Sequence, residues 1–448
     1  MINKVLIANR GEIAVRVIRA CKEMNIKTVA IYSEVDKDAL HVRLADEAVC
    51  VGPAKSADSY LNVKNILEAA CLTGADSIHP GFGFLAENAR FAKMCEECNL
   101  KFIGPSYETI ELMGNKINSK KLMRENNVPV IEGSKDKLNS YKEAEKLADT
   151  IGYPVILKAS AGGGGKGIRI VFKKEDLKDM LSLVKQESKN AFGDDTIYME
   201  KYVQNPRHVE IQILSDMYNN CVYLGERDCS VQRNNQKILE ESPSTILNNA
   251  TRKAMGEAAV RAAKAANYEG AGTVEFLVDS ENNYYFMEMN TRIQVEHPVT
   301  EMMTGIDIVK QQLKIASGKR LDLVQDKINP RGHSIECRIN AENPYKNFMP
   351  SPGKITKLVL PGGNETRVDT AVYEGYTIPP YYDSMIAKII VHARTRNEAI
   401  LKMKRALDEC IIEGIETNIE FLKSILLNEK FKSGEFTTAI IKEEYDLW

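Results

Sequence analysis

The 448-residue sequence lacks long hydrophobic runs, a surplus of either charge and any regular cysteine spacing. No apolar stretch approaches the roughly 18 residues of a membrane-spanning helix, and the first one, VLIA at residues 5–8, is too short for a secretory signal. Lys plus Arg number 60 and Asp plus Glu number 62, which argues against a generic basic surface for nucleic acid or anionic membranes. Nine scattered cysteines are typical of reduced thiols. We therefore predict a cytoplasmic protein that binds neither nucleic acid nor membranes.

What the sequence does contain is an alternation of short and long patterns. From Lys4 to about Gly104, short apolar segments such as KVLIAN, KTVAIYS and DSIHPG alternate with longer segments of helical spacing. This alternation predicts a doubly wound, Rossmann-like parallel α/β domain, whose ligand crevice lies at the carboxyl ends of its strands. Glycine-containing turns at 9–11 and 79–83 are either walls of that crevice or simply tight βα turns. The polar segment IEGSKDKLNS, 131–140, is interpreted as a linker.

The pattern then changes twice. Residues 151–203 read as strand, glycine loop, strand, helix and strand, which predicts a small α+β unit. From Arg207 onward, period-two segments such as HVEIQIL, GTVEFLV and YYFMEMN predict an antiparallel sheet. The fold class predicted for the whole chain is therefore multidomain α/β and α+β.

Four consecutive glycines, Gly162–Gly165, lie between Lys158 and Lys166 in the stretch VILKASAGGGGKGIRIV. The strand-like IRIV that follows excludes a dinucleotide fingerprint, which opens a helix, and the Gly after Lys166 excludes a Walker A loop. A glycine hairpin can present successive N–H groups to an anion, and the two lysines add charge suited to a polyphosphate. A surface hairpin with incidental lysines is an equal alternative from this motif alone.

Polar side chains also concentrate in FMEMNTRIQVEHPVTE, residues 286–301. If the extended conformation persisted, one face would carry Phe286, Glu288, Asn290, Arg292, Gln294 and Glu296. Upstream, Glu275 in GTVEFLVD could lie across a hairpin from Glu288, and facing carboxylates repel unless a cation lies between them. Glu275, Glu288 and the Asn290 amide oxygen form a suitable set for Mg²⁺. A solvated polar face is the alternative, disfavoured because Glu275 lies in an apolar strand. The two motifs together predict ATP, Mg²⁺ (or Mn²⁺) and phosphoryl transfer.

A glycine hairpin combined with a Glu…Glu-x-Asn cation site resembles the ATP-grasp superfamily. Within it, nine segments resemble the biotin carboxylase family: IANRGEIA, HPGFGFLAEN, KASAGGGGKGIRIV, MEKYV, PRHVEIQIL, ERDCSVQR, EMNTRIQVEHPVTE, RGHSIECRINAE and PPYYDSMIAKI. They occur in the family's order, and the resemblance extends from Lys4 to about Glu413. Nine ordered motifs are specific enough to identify the chain as a member of this family.

The resemblance implies three domains. Residues 1–115 would form the N-terminal α/β domain with a linker helix, residues 116–203 an ATP-grasp lid, and residues 204–448 the C-terminal ATP-grasp and biotin carboxylase C-terminal domain. The residues implied to bind ATP are Lys116, Lys158, Gly164, Gly165, Glu200, Lys201, Tyr202, Val203, His208, Lys237, Glu275 and Glu288. Glu210 would line the same cleft, and the metal ligands would be Glu275, Glu288 and Asn290.

The reaction is also implied by the resemblance. Bicarbonate attacks the γ-phosphate of ATP to form carboxyphosphate, which releases CO₂ to N1′ of biotin. The bicarbonate-binding residues would be Lys237, Arg292, Gln294, Val295 and Glu296, and the catalytic residues Glu296, Arg292, Lys237 and Arg338. Glu296 matches the base that deprotonates bicarbonate, and Arg338 matches the biotin-binding residue that stabilises the biotin enolate. From spacing alone, Arg338 is better explained as an ion-pair partner of Glu336 or another acid.

One segment departs from the family's pattern, because Asn234 and Asn235 stand where a more basic pair, often ending in His, is common. A nucleotide contact at Asn235 is therefore not carried over. The implied partners are a separate biotin carboxyl carrier protein, a second copy in a homodimer and carboxyltransferase subunits. Acetyl-CoA carboxylase, the first step of fatty acid synthesis, is the expected assembly. The alternatives are a component of a pyruvate or propionyl-CoA carboxylase and, from another class, an ATP-binding regulatory relative without catalysis.

Overall fold

A parallel sheet forms the N-terminal part of the computed structural model, which describes residues 2–134, 137–138, 140–159, 167–192 and 196–445. Its strands and the helices that accompany them are β1 (Lys4–Ile7), α1 (Gly11–Glu23), β2 (Lys27–Ser33), α2 (Leu40–Leu44), β3 (Glu47–Gly52), α3 (Val63–Thr73), β4 (Ser77–His79), α4 (Ala89–Glu97), β5 (Lys101–Phe102), α5 (Tyr107–Gly114) and α6 (Lys116–Glu125). The strand order is β3-β2-β1-β4-β5, with every pair parallel. The predicted doubly wound domain is confirmed.

Successive strands are added on one side of β1 up to β3 and on its other side from β4 onward, and a doubly wound sheet opens its ligand crevice at this switch point between β1 and β4. The two glycine turns lie there. Asn9 donates from Nδ2 to the carbonyls of Pro80 (2.8 Å) and Phe82 (2.7 Å), which ties the two turns together. Gly81 has φ +62°, and a Cβ there would lie 2.9 Å from Asn9 Nδ2. Both turns line the main cleft of the molecule.

A small three-stranded unit follows. Its elements are α7 (Tyr141–Ile151), β6 (Val155–Ala159), β7 (Ile168–Val171), α8 (Leu177–Phe192) and β8 (Ile197–Lys201). The antiparallel order β7-β6-β8 matches the predicted α+β unit, and its buried apolar side chains form a core of their own. The segment interpreted as a linker belongs to this unit, because Leu138 is buried in that core and Ser134 N donates to Met199 O at 2.8 Å. The segment was interpreted as a linker because its composition is mostly polar and gave no sign that Leu138 is buried.

The third part is built on an eight-stranded antiparallel sheet, in the order β13-β12-β9-β10-β11-β14-β21-β19. The elements of this part are β9 (Arg207–Ser215), β10 (Cys221–Arg233), β11 (Gln236–Ser242), α9 (Asn249–Ala265), β12 (Gly270–Val278), β13 (Tyr284–Asn290), α10 (His297–Thr304), α11 (Ile308–Ala316), β14 (His333–Asn340), β15 (Glu342–Asn343), β16 (Met349–Pro350), β17 (Gly353–Lys354), β18 (Lys357–Val359), β19 (Thr366–Thr370), β20 (Thr377–Ile378), β21 (Met385–Ala393), α12 (Arg396–Glu409), β22 (Ile411–Glu413), α13 (Ile419–Leu427), α14 (Glu429–Ser433) and α15 (Ile440–Glu444). The central strands of this sheet bring residues from distant parts of the chain to one face.

Packing refines one predicted boundary. Two helices, α5 and α6, precede the small unit, and they are separated at Asn115, whose side chain caps α6. Met123 of α6 is buried against α9 and β13, in the core of the large antiparallel part. We therefore propose that the lid begins after this helix and not at Lys116. Among the described residues, no helix is both long and apolar enough to cross a membrane.

Candidate active site

One cleft of about 1040 Å³ lies where the three parts of the chain meet. The first part contributes the turns after β1 and β4, the small unit contributes Lys158 and Glu200–Val203, and the antiparallel sheet contributes its central strands. The polar residues that line it on the sheet side are His208, Lys237, Glu275, Glu288, Asn290, Arg292, Gln294, Glu296 and Arg338. Residues from many distant segments of the sequence therefore share a single cavity.

Lys237 is the centre of the charged network in this cleft. Its Nζ donates to three buried carboxylates: Glu210 Oε2 at 2.6 Å, Glu296 Oε1 at 2.7 Å and Glu275 Oε1 at 2.9 Å. Burial lowers the pKa of Lys237, but the three carboxylates outweigh it and raise that pKa well above its usual value. The lysine is therefore a fixed cation around which the acids are gathered.

Glu296 is held on both oxygens. Oε1 accepts from Lys237, and Oε2 accepts from Arg338 Nη2 at 2.9 Å. Burial raises the pKa of Glu296, but Lys237 and Arg338 together bring it below its usual value. Arg338 also donates from Nε to Glu240 Oε1 at 2.7 Å. Spacing suggested an ion pair of Arg338 with Glu336 or another acid, and the structure shows the second case. Arg338 bonds Glu240 and Glu296, whereas neither Glu336 oxygen has a hydrogen-bond partner among the described residues.

Glu240 should make stability pH-dependent. Burial raises its pKa from 4.5 to about 7, although Arg338 opposes the shift. Because the folded pKa lies above the unfolded one, its contribution to stability is complete below about pH 4.5 and is lost as the pH rises through 7. Between pH 5 and 8, Glu240→Gln should therefore gain about 2–3 kcal/mol of unfolding free energy relative to the wild type. Urea unfolding at the two pH values measures this gain.

The neighbouring Glu241 supplies the control for this experiment. Burial raises its pKa, but His333 and Arg396 bring it down to about 2, so its contribution does not change between pH 5 and 8. Glu241→Gln should keep the wild-type pH trend, whatever its absolute stability. An identical trend in Glu240→Gln and the wild type would contradict the assignment.

The hairpin of β12 and β13 places two further acids opposite each other. Glu275 pairs with Glu288, as the sequence predicted, but the register shifts next to them, since Phe276 pairs with Phe286. This bulge corrects the expectation that Phe286 and Glu288 share a face. Phe286 is buried in the core under α9, whereas Met287 and Glu288 line the cleft. The extra residue turns the carboxylate into the cavity, as bulges near sites commonly do.

These acids fit a divalent cation. Burial and repulsion by Glu275 raise the pKa of Glu288. Among the described residues its ion-pair partner is Lys116, with Nζ at 3.8 Å, so a positive charge at this position relieves an existing repulsion. Glu275 is already neutralised by Lys237 and His208. Asn290 donates from Nδ2 to Glu275 Oε1 at 2.8 Å, and its Oδ1 accepts from Arg292 Nη2 at 3.0 Å. The oxygen set suits Mg²⁺, with the Asn290 oxygen engaged by Arg292 in this arrangement.

The single extended row of residues 286–296 is not observed. β13 ends at Asn290, and residues 291–296 form a turn that leads into α10. Arg292 lies at the mouth of the cleft, where its Nε donates to Glu87 Oε2 at 2.8 Å. Period two could not predict this turn, because nothing in the alternation marks the end of the strand at Asn290. The polar side chains still line one cleft, but they do so because the chain turns after Asn290.

Buried side chains fix this turn from below. Gln294 donates from Nε2 to Glu275 Oε1 at 2.7 Å and accepts at Oε1 from Arg227 Nη2 at 3.0 Å. The Val295 carbonyl accepts from Lys388 Nζ at 2.6 Å. Arg227 and Lys388 are fully buried and, like Glu87, received no role from the sequence. A lone lysine inside MIAKIIVHA, an apolar strand, is the signal that could have indicated Lys388.

The small unit presents a second charged group to the cleft. Glu200 of β8 accepts from Lys158 Nζ at 2.7 Å and also from Lys120. The backbone N–H groups of Lys201 and Tyr202 donate to the carbonyls of Glu132 and Pro154, at 2.8 and 3.0 Å. Gly164 and Gly165, the predicted phosphate loop, lie outside the described residues. Lys158 and the segment Glu200–Val203, both predicted to bind ATP, thus face the same cavity as the acids.

His208 and Asn235 complete the adjoining wall. His208 Nε2 lies 2.9 Å from Glu275 Oε2, and its Nδ1 lies 2.7 Å from Gln232 Nε2, so Nδ1 accepts and Nε2 carries the proton. Asn234 and Asn235 have φ +50° and +65° and join β10 to β11. A two-residue hairpin turn with both φ values positive favours asparagine, which tolerates this region better than most residues. The two asparagines therefore suit the backbone of this turn.

Known families and proteins resemble this chain over nearly its whole length. Three family profiles match: "Biotin carboxylase, N-terminal domain" over residues 1–110, "Carbamoyl-phosphate synthase L chain, ATP binding domain" over 115–324, and "Biotin carboxylase C-terminal domain" over 336–443. Biotin carboxylase 1 of Bacillus subtilis is 60% identical over 448 residues, covering 100% of this chain and 99% of that protein. A pyruvate carboxylase component of Methanothermobacter thermautotrophicus is 54% identical over 443 residues, covering 99% of this chain and 90% of that protein.

A solved structure has the same fold. The biotin carboxylase domain dimer of Hydrogenobacter thermophilus 2-oxoglutarate carboxylase, in complex with MgADP, ADP and bicarbonate, is 51% identical and superposes with a TM-score of 0.91, covering 100% of this chain and 98% of that one. The profiles, the full-length relatives and the shared architecture agree with the motifs: the chain belongs to the biotin carboxylase family.

Proposed function

We propose that this ATP-dependent ligase carboxylates biotin with bicarbonate, through carboxyphosphate, as the first half-reaction of a biotin-dependent carboxylase. The observation that carries the proposal is the position of Glu296. Its carboxylate lies between Lys237 and Arg338, next to the turn that contains Arg292 and Val295. A base, an anion-binding turn and two cations within one cleft are what a reaction between bicarbonate, a triphosphate and a urea nitrogen requires.

The nucleotide half of the cleft supports binding of ATP. Lys158 and Lys116 supply charge for the phosphates, and the segment Glu200–Val203 supplies backbone groups for the adenine edge. Glu275 and Glu288 would hold the magnesium ion, joined by the Asn290 oxygen when it turns from Arg292. When bound, the ion supplies charge neutralisation at the β- and γ-phosphates. Lys237 would contact the transferred phosphoryl group. Its ammonium is already fixed in the cleft, so it can stabilise the negative charge that develops on the phosphoryl oxygens in the transition state.

The other half supports binding of bicarbonate and biotin. The Arg292 guanidinium is planar and lies beside the Gln294–Glu296 turn, where it can hold a planar anion by two bonds. Glu296 would take the bicarbonate proton as the oxygen attacks the γ-phosphate. Arg338, the cation that contacts this base, would then stabilise the negative oxygen of the biotin ureido group after N1′ loses its proton. The phosphate released from carboxyphosphate would accept that proton.

The lid would exclude water from this chemistry. Carboxyphosphate decomposes if water enters, so closure of the small unit over the nucleotide would protect the intermediate. The Lys158–Glu200 pair at 2.7 Å lies on that unit and faces the cleft, so docking of phosphates beside Lys158 would draw the unit towards the sheet. The phosphates of a metal–triphosphate in the cleft would then contact a lysine on the small unit. Its metal ion would contact carboxylates on the sheet.

Glu288→Gln should raise the magnesium requirement. The substitution removes a carboxylate charge at the proposed metal site and keeps the side-chain shape, so the MgCl₂ concentration for half-maximal activity should rise by at least about tenfold. Titration of the ATPase rate with MgCl₂ at fixed ATP measures the shift. Glu281→Gln is the matched control, because Glu281 is an exposed acid in the turn of the same hairpin. Equal requirements in the two variants would exclude Glu288 as a ligand.

Partners follow from the same proposal. We infer that biotin arrives on a carrier protein, that carboxyltransferase subunits receive the carboxyl group, and that the chain forms a homodimer in the cytoplasm. Support comes from the solved relative, a domain dimer, and from the relative that belongs to a pyruvate carboxylase. Acetyl-CoA is our proposed final acceptor, with pyruvate or propionyl-CoA as the alternative. Transfer of labelled carboxyl groups to each acceptor, in the presence of the corresponding transferase, distinguishes them.

The function is tested by ATP hydrolysis. The purified chain with MgATP should release phosphate only when bicarbonate is present, free biotin should stimulate the rate, and ¹⁴C-bicarbonate should label biotin. A regulatory relative without catalysis would bind ATP but show no bicarbonate dependence. That result would overturn the proposal.

A further inference from the structure

Two buried side chains that no motif assigned lie directly beneath the bicarbonate-binding turn. Lys388, on β21, is fully buried, and its Nζ donates to the Val295 carbonyl at 2.6 Å. His297, the first residue of α10, is also fully buried, and its Nδ1 lies 2.8 Å from the Gln294 carbonyl. The two contacts therefore hold consecutive carbonyl oxygens of one turn from the side opposite the cleft.

The peptide planes link these contacts to the cleft. The Gln294 carbonyl and the Val295 N–H belong to one planar unit, and the Val295 carbonyl and the Glu296 N–H belong to the next. Fixing either carbonyl therefore fixes the direction of the N–H on the other side of the same plane. A donor to a carbonyl also polarises that N–H and makes it a better donor to an anion. The backbone of Val295 and the start of the Glu296 side chain are thus oriented from below.

The protonation of His297 is set by this geometry. A carbonyl can only accept, so Nδ1 carries the proton, and Nε2 has no hydrogen-bond partner within the described part of the chain. Burial, together with the positive charges of Lys388 and Arg16, lowers the pKa of His297 well below its usual value. The ring is a neutral donor with one task, which is to hold the Gln294 carbonyl.

We propose that Lys388 and His297 are positioning residues, which hold the Gln294–Glu296 turn so that bicarbonate meets a fixed Val295 N–H and a fixed Glu296 carboxylate. The proposal rests on the proposed function of this turn. Lys388 pairs in register with Arg338 on the neighbouring strand β14, so the rigid sheet that carries the biotin-side arginine also carries the lysine. The sheet therefore sets the distances from Arg338 to the Glu296 carboxylate and to the Val295 N–H.

A simpler role for Lys388 would be to neutralise Glu12. Glu12 is buried at the start of α1, and its Oε1 lies 3.2 Å from Lys388 Nζ, a longer contact than the one to Val295. Neither Glu12 oxygen makes a hydrogen bond among the described residues. A double substitution distinguishes neutralisation of Glu12 from donation to the Val295 carbonyl. Glu12→Gln combined with Lys388→Met removes both charges and restores the balance, but it does not restore the donor to Val295.

The test measures Michaelis constants for both substrates in the wild type, Lys388→Met and the double variant Glu12→Gln, Lys388→Met. Loss of a charged donor should raise the KM for bicarbonate about 10- to 100-fold in both variants and leave the KM for ATP within about twofold. His297→Phe keeps the ring shape and should raise the bicarbonate KM about tenfold. Recovery of the wild-type bicarbonate KM in the double variant, or a parallel rise of both constants, would overturn the proposal.

Crystal structures of the wild type and the double variant supply a readout that does not depend on activity. The Val295 peptide should rotate away from its wild-type orientation when Lys388 is replaced, and an unchanged turn would refute the positioning role. If the wild type shows no bicarbonate-dependent hydrolysis, the proposed function fails, and the two structures still decide whether Lys388 holds the turn.

Discussion

Glu296→Gln is expected to abolish biotin carboxylation while leaving the protein folded. General bases contribute about 10²- to 10⁴-fold to rate, and glutamine cannot accept the bicarbonate proton. The fold should survive because the amide keeps the shape of the carboxylate. Lys237 retains its bonds to Glu210 and Glu275, at 2.6 and 2.9 Å, and Arg338 retains Glu240. Incorporation of ¹⁴C-bicarbonate into free biotin measures activity, and thermal unfolding measures stability.

The control for this experiment is Glu336→Gln on the adjacent strand β14. Glu336 is fully buried and has no hydrogen-bond partner among the described residues, and burial raises its pKa well above the usual value. Because burial favours the neutral form of this carboxyl, an amide of the same shape is a close match, and this variant should keep its activity. Carboxylation retained in Glu296→Gln would remove the base assignment, and loss in both variants would show a general sensitivity of the sheet.

Lys237→Met should cost both activity and stability, the largest combined effect expected for this chain. Removal of one partner from a buried charge cluster typically costs about 3–5 kcal/mol, and here three carboxylates lose a shared donor. Loss of a cation aimed at the reacting phosphoryl group should lower the rate by at least about 100-fold. Urea unfolding and the bicarbonate-dependent ATPase rate measure the two effects separately.

The pH dependence identifies the cause of that instability. Without the ammonium, the pKa values of Glu210, Glu275 and Glu296 rise in the folded state, so stability is present at low pH and lost as the pH increases. The defect should therefore be smaller at pH 5 than at pH 8. Lys116→Met is the control, because that side chain is 79% exposed and its ion pair with Glu288 spans 3.8 Å, so stability should change by less than about 1 kcal/mol. A pH-independent loss in Lys237→Met would point to packing instead of charge.

The sequence predicted the parts of the site that depend on local periodicity. Alternation predicted the parallel sheet and its crevice, and period two placed Glu275 opposite Glu288. The bulge that separates Phe286 from Glu288 was not predicted, because one inserted residue in a strand leaves no trace in composition. The turn after Asn290 was also not predicted, because nothing in the alternation marks the end of the strand there.

Contacts between distant strands could not be obtained from spacing. Lys237 and Glu296 are 59 positions apart, and their contact at 2.7 Å depends on the order of eight strands. The roles of Lys237 and Arg338 came from the resemblance to a family, and spacing alone predicted a pairing of Arg338 with Glu336 or another acid without identifying Glu240 and Glu296. Arg227 and Lys388 were overlooked because charged residues in strands are ordinarily solvated, whereas here they are buried and bonded.

The small unit has a consequence for how the enzyme can be tuned. Its buried apolar side chains, from Leu138 to Met199, pack with one another and with residues of the same unit. We infer that such a body can move without disturbing the packing of the catalytic sheet. We therefore propose that substitutions where this unit joins the rest of the chain change the rate of product release and leave the spacing of Lys237 and Arg338, which the sheet carries, unchanged.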